Sequence, residues 1–282
     1  MSNEKKNEEG RPIEAPDYEG FPWNHDPIVE EAYAQKNYRI ELTEANNKKA
    51  IVFFSGNGIY ANKNRRASFL ERIVEYDRYE WWDIGHSSKV SGAYEKIIFM
   101  RDIYAQYYLR GVNKNCDTQE KMGDLLRKET EGYDVTVCGS SAGAFAAAVL
   151  AEKIGAKRLY GISGCYDLNL IYGMGPILDA EINNPNTECT LNACEQLKRC
   201  GVRIYNVYAG CCDTDMVQTE ALEGCNVLHF AFDSESHAKT MRNICYPTFL
   251  TLSDERMQEL ADRYEGRLIQ KTEWEKALIL GR

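Results

Sequence analysis

The sequence predicts an α/β protein, a mostly parallel sheet with helices on both faces. Three observations carry that expectation. From Tyr38 onward, short runs of strand length alternate with segments of helical period. Several runs are continuously apolar, as strands covered on both faces must be. Two of them end in glycine-rich turns, Ser55-Gly56-Asn57-Gly58 and Gly139-Ser140-Ser141-Ala142-Gly143.

The elements follow in order. Residues 1–36 are polar and charged, with Pro12, Pro16, Pro22 and Pro27, and read as a surface arm pinned by Phe21 and Trp23. Tyr38 to Leu42 alternates like an edge strand. Ala50 to Phe54 is a buried strand. Ser68 to Tyr76 has helical spacing. Tyr79 to Ile84 reads as the next strand. Lys96 to Leu109 is apolar and aromatic, and its second half reads as a helix. Thr118 to Glu131 is a helix, with Thr118 at its N-cap and Met122, Leu125 and Leu126 inward. Asp134 to Cys138 is a strand, Ala142 to Lys153 a helix, Arg158 to Ile162 a strand. Gly173, Gly175, Pro176 and Pro185 then break the rhythm, and residues 164–199 read as a lid insertion. Leu191 to Cys200 is helical. Val202 to Ala209 and Asn226 to Phe232 are strands. Asp254 to Leu280 is helical, with Met257, Leu260, Ala261, Tyr264 and Leu268 on one face. The chain is thus an arm and one domain, 37–282.

Composition narrows the function. The chain has 282 residues, 44% of them hydrophobic, enough for a large core. A net charge of −9 argues against nucleic acid as a partner. No apolar stretch approaches the length of a membrane span, and Met1 to Gly10 lacks the apolar core of a secretory signal. A cytoplasmic protein is expected. The ten cysteines, from Cys116 to Cys245, are then read as reduced thiols. The four histidines and the vicinal pair Cys211-Cys212 complete no zinc spacing, so no metal is expected.

Gly139 to Gly143 carries the chemistry. It reads G-x-S-x-G between a strand and a helix of small residues, Ala144 to Ala148. Such a turn lifts a serine hydroxyl onto a sharp elbow, and a side chain at either glycine would meet the strand or helix beside it. A serine hydroxyl needs a base, and the base needs an acid to orient it. In a parallel sheet, active groups follow the carboxyl ends of strands. Ser141, Asp213 and His237 each do so, in the order Ser, Asp, His. Asp215, two residues on, is the alternative acid. Whichever aspartate is not used is a helix cap.

With the elbow, the turn Gly210-Cys211-Cys212-Asp213 with Val217 beyond it, and a histidine after the last strand, the chain from about residue 38 resembles the α/β-hydrolase superfamily. The resemblance implies a triad of Ser141, Asp213 and His237. It also implies an oxyanion hole from the backbone N–H groups of Ala142 and of Asn57. The loop Ser55–Gly58 keeps the glycines usual in that family but has Ser55 where histidine is common. A backbone donor does not depend on that side chain.

Plainer readings stand beside these. Ser141 can be an inert turn serine. His229 lies inside a strand and reads as a packed residue. His86 follows the expected strand at 79–84, and either touches substrate or is an exposed loop residue. Gly85 to Lys89 lacks the second glycine of an elbow. Cys138 reads as an apolar filler. Asn62 to Arg66 is either a polar clamp for a carboxylate, phosphate or sugar, or a solvated helix entry. Leu168, Leu170, Ile171, Tyr172, Met174, Ile177 and Leu178 either line an acyl pocket or pack the insertion down. Tyr104, Tyr107 and Tyr108 suit a sugar ring or a core.

The expected function is a serine esterase with no cofactor, acting on a small-molecule or glycan ester. An acyltransferase with the same triad, and a non-catalytic binding protein, are the alternatives.

Overall fold

The computed structural model describes residues 26–60, 65–171, 189–237 and 246–280. Seven strands form one sheet: β1 Tyr38–Leu42, β2 Lys49–Phe54, β3 Lys96–Met100, β4 Asp134–Ser140, β5 Arg158–Ile162, β6 Arg203–Ala209 and β7 Val227–Phe232. Their order is β1-β3-β2-β4-β5-β6-β7. Only β1 runs antiparallel to its neighbour.

Alternate side chains of each strand face opposite sides, so one sheet holds two cores. Val52, Phe54, Ile98, Val135 and Val137 face the helices Gln119–Glu129, Ala142–Ala151 and Cys194–Cys200. Ile51, Phe53, Ile97, Phe99 and Phe230 face Ser88–Ala93, Tyr246–Phe249, Asp254–Tyr264 and Lys271–Leu280. The helix Ala142–Ala151 is buried along its whole length. Its alanines let it lie close on β2, β4 and β5, which brings its N-terminus beside the loop after β2.

The structure departs from the sequence expectation in three places. The third strand is Lys96–Met100, not Tyr79–Ile84. Residues 82–85 form a short helix. Tyr79 and Trp81 are buried against the sheet face, where the Trp81 indole N–H donates to the Phe54 carbonyl at 3.0 Å. The expected helix in the second half of 96–109 is absent. Asp102 instead draws in the N–H groups of Tyr104, Gln106 and Tyr108, at 3.0, 2.6 and 2.9 Å. Ala105, Tyr107 and Tyr108 have φ of 54°, 57° and 59°, which no right-handed helix allows. The C-terminal helix is broken in two, at Asp254–Tyr264 and Lys271–Leu280. Between them the Ile269 N–H donates to Ala231 at 2.7 Å and covers the edge of β7. Leu268, expected inward, is exposed in that break.

The domain boundary also differs. Pro27–Tyr33 is a helix, capped by Asp26, with Val29 and Tyr33 buried against Phe69, Ile73, Ile103 and Tyr104. The body therefore begins before residue 37. Phe21 and Trp23 lie outside the described residues, as do Asn62, Lys63 and Asn64. Of the expected lid, Cys165, Tyr166 and Leu168 are core residues and Leu170 is exposed. Tyr172, Met174, Ile177 and Leu178 lie outside the described residues. Among the described residues, no helix is long and apolar enough to cross a membrane.

Candidate active site

The elbow sits where β4 gives way to the helix Ala142–Ala151. Ser141 has φ 48° and ψ −116°, a conformation that costs a residue with a side chain about 1–3 kcal/mol. The surroundings hold it there. Its N–H donates to Ile162 at 3.0 Å, and its carbonyl accepts from Ala144, Phe145 and Cys165. The glycines are steric necessities. A Cβ at Gly139 would lie 2.3 Å from the Gly143 carbonyl carbon, and one at Gly143 would lie 2.2 Å from the Phe54 carbonyl oxygen. Gly143→Ala should therefore destabilise the fold by several kcal/mol, on the order of 4 or more. A urea melt checks this; a loss below 1 kcal/mol would show that the contact yields.

His237 follows β7, after Asp233 to Ser236. Its Nδ1 lies 2.5 Å from Asp215 Oδ1. Asp215 is buried, and its other oxygen accepts the Ala209 N–H at 2.9 Å. The partner of the histidine is thus Asp215, not Asp213. Asp213 opens the helix Asp213–Glu220 and is exposed. Asp215 lies in the same first turn but on its inner side, against the end of β6. The sequence held the position of the turn, but not which side of the helix meets the strand.

Ser163 ties these parts together. It follows β5, its N–H donates to Val207, and its hydroxyl donates to the His237 carbonyl at 3.1 Å. Cys165 is buried beside the elbow. Burial pushes its thiol up to about 12, while the Ser141 and Tyr107 hydroxyls oppose the rise and the Asp215 charge adds to it. Ser141 and Asp215 thus both lie near Cys165, whose N–H also donates to the Ser141 carbonyl, and His237 is bonded to Asp215. Among the described residues, the Ser141 hydroxyl makes no hydrogen bond to the His237 ring.

The loop after β2 is fixed from several directions. The Tyr108 hydroxyl donates to the Ser55 carbonyl at 2.9 Å, and the Asn57 side chain donates to the Ala105 carbonyl at 3.0 Å. Gly56 gives its N–H to Glu80 Oε2 at 2.5 Å. The N–H groups of Asn57 and Ala142 have no partner among the described residues. A Cβ at Gly56 would lie 2.6 Å from the Ser140 carbonyl oxygen, so loop and elbow touch.

Glu80 had no sequence signal, because it stands in a stretch that reads as a strand. Burial pushes it from 4.5 to about 7, against the Gly56 N–H, the Ser140 hydroxyl and the Arg78 cation. Burial likewise raises Asp102 from 3.8 to about 6, against its backbone donors. Both carboxyls hold a proton more tightly folded than unfolded. Stability therefore falls as pH rises from about 4 to about 7, by roughly 3 kcal/mol at most for Glu80. Glu80→Gln should melt higher than the unsubstituted chain at pH 8 and differ little at pH 4.5, as melts by circular dichroism at the two pH values would record.

His86 is not at this site. It pairs with Glu41 at 2.8 Å and stacks on Phe99. Its expected place followed from a strand at 79–84 that does not exist. His229 lies within β7, next to Tyr208. Cys138 is buried in β4. Among the described residues, no three His, Cys, Asp or Glu side chains gather as a metal site requires.

By sequence, no family model and no curated relative matches the chain. Solved structures do. MenH from Staphylococcus aureus is similar with a TM-score of 0.50 at 12% identity, over 81% of this chain and 100% of that one. A protein of unknown function from Staphylococcus aureus subsp. aureus Mu50 is similar with a TM-score of 0.50 at 13% identity, over 79% and 94%. The capsule O-acetyltransferase of Neisseria meningitidis serogroup A is similar with a TM-score of 0.50 at 13% identity, over 79% and 92%. This is the α/β-hydrolase fold. At these identities the likeness reaches the fold and no further, because one scaffold hosts many chemistries. Within the α/β-hydrolase fold of this chain, the elbow, the Asp215–His237 pair and the loop after β2 all lie at the carboxyl edge of the sheet.

Proposed function

We propose that this chain, which has the α/β-hydrolase fold, is a serine enzyme that cleaves a carboxylic ester through an acyl-enzyme on Ser141. The observation that supports it is the strained Ser141 elbow at the same sheet edge as the buried Asp215–His237 pair. Ser141 Oγ attacks the ester carbonyl carbon, and its proton passes to His237 Nε2. Asp215 holds the Nδ1–H and so fixes the tautomer. The backbone N–H groups of Asn57 and Ala142 take the oxyanion. The leaving alcohol collects the proton from His237. Water, deprotonated by the same histidine, then releases the acid and restores the serine. The missing Ser141–His237 bond fits this reading, since such contacts often tighten only when substrate binds. The nine described cysteines carry free thiols, which fits a reducing compartment, and we place the enzyme in the cytoplasm.

A fluorophosphonate probe tests the proposal. Labelling is expected at Ser141 and should vanish in Ser141→Ala. A folded chain that takes no label is a binding protein on a hydrolase scaffold.

The likeness to an O-acetyltransferase favours a second reading, in which a sugar hydroxyl replaces water. With p-nitrophenyl acetate and a monosaccharide together, mass spectrometry would show acetylated sugar for a transferase and only acetate for an esterase.

A further inference from the structure

We infer that Glu80 is a positioning residue that clamps the oxyanion loop to the serine elbow; the inference rests on the esterase reading above. Its Oε2 accepts the Gly56 N–H at 2.5 Å. The Ser140 hydroxyl lies 3.1 and 3.0 Å from its two oxygens. Gly56 precedes Asn57, one of the two proposed donors. Ser140 precedes the nucleophile, with Ala142, the other donor, directly after it. One side chain therefore spans the two backbone segments whose N–H groups must converge on a single oxygen. Glu80 grips the loop a second time, its own N–H donating to the Ser55 hydroxyl at 3.3 Å.

The clamp is itself well anchored. Tyr79 and Trp81 on either side are buried, and Trp81 is bonded to Phe54 at the end of β2. The charged and titratable groups around the carboxylate are Arg78, the Cys138 thiol and the Tyr246 hydroxyl. None of these is hydrogen-bonded to Glu80 among the described residues, so its bonds run to the loop and the elbow.

Two arguments favour a role in function over one in folding. A donor aimed at the oxyanion before reaction is worth about a hundredfold to a thousandfold in rate, and a displacement of about 1 Å forfeits much of that. A half-buried carboxyl whose desolvation raises its pKa, and so weakens the fold at neutral pH, is the kind of feature that survives where activity needs it.

Two readouts test the clamp, one without turnover. In Glu80→Ala, the Gly56 amide should exchange with deuterium at least about tenfold faster, because its acceptor is gone. In the same variant, kcat on p-nitrophenyl acetate should fall about tenfold to a hundredfold, with KM changed less than about threefold. Glu80→Gln should recover most of both, since its amide can accept from Gly56 and donate to Ser140. Ser140→Ala, which removes one arm, should lose about threefold to tenfold in kcat.

A folded Glu80→Ala chain with unchanged Gly56 exchange overturns the clamp. So does altered exchange with unchanged kcat, or a Glu80→Gln variant as impaired as the alanine. If Glu80→Ala does not fold, Ser140→Ala decides, and wild-type exchange and kcat there overturn the proposal. Absence of fluorophosphonate labelling in the unsubstituted chain would instead sink the esterase reading, and with it any catalytic role for Glu80. The exchange rate at Gly56 keeps the two failures apart.

Discussion

Ser141→Ala should leave a folded chain that has lost ester turnover by a factor of about ten thousand or more. The hydroxyl is the only part of the residue that reacts. The backbone bonds that hold the elbow, from Ser141 to Ile162 and from Ala144, Phe145 and Cys165 to Ser141, survive the substitution. Alanine keeps the φ of 48° and the strain that goes with it, so the melting temperature should shift little. Ser141→Gly is the informative companion. It is equally inactive, but glycine accepts that φ without penalty, so the chain should gain about 1 kcal/mol or more. Steady-state hydrolysis of p-nitrophenyl acetate and urea melts measure both. Turnover of Ser141→Ala at the original rate would remove the serine from the mechanism. A glycine variant less stable than the alanine would mean that the elbow carries no strain.

The second large effect separates two aspartates. Asp215→Asn should lower kcat by about ten thousandfold, because the amide turns an acceptor for His237 Nδ1–H into a donor and favours the wrong tautomer. Asp213→Asn should stay within about twofold, as exposed substitutions remote from the chemistry do. The geometry behind this is unequal burial. Asp215 is 2% exposed and bonded to both His237 and Ala209, while Asp213 faces solvent at the helix start. Michaelis–Menten analysis of the two variants decides. Equal losses would mean that the first-turn aspartates act together, and loss only in Asp213→Asn would reverse the assignment.

The parts of this protein that were legible in its sequence are those where one residue type has one physical use. A serine between two glycines, followed by alanines, has few structural uses other than a tight strand-to-helix turn. The small residues are needed because the Gly143 position lies against the Phe54 carbonyl. Thr118 was legible as an N-cap for the same reason, and its hydroxyl accepts the Lys121 N–H at 3.1 Å. What misled was aromatic spacing. Tyr104, Tyr107 and Tyr108 recur at helical intervals, yet their backbone is organised by one buried carboxylate, Asp102. Tyr79 to Ile84 has the apolar content of a strand, but its rings cap the sheet instead of joining it. Tertiary contacts overrode local pattern in both cases. Choosing between Asp213 and Asp215 required knowing which side of one helical turn meets β6, and no periodicity over eight residues encodes that. Glu80 was invisible because its partners lie 24 and 60 residues away.

The strand order has a consequence for how the chain comes off the ribosome. β2, β4, β5, β6 and β7 are neighbours in the sheet in the order in which they are made. The sheet can therefore grow outward from its middle during synthesis, one parallel strand at a time. The first segments must wait, however. β1 pairs only with β3, and Tyr33 bonds to the Arg110 carbonyl, 77 residues later. At about 5–20 residues per second, that wait lasts several seconds. The proposed reactive edge is completed late. The serine emerges at position 141, but its proposed partners arrive only at 215 and 237, on the final two strand ends. A chain interrupted before residue 237 would carry the elbow without its proposed partners, so the proposed chemistry would require synthesis past that residue.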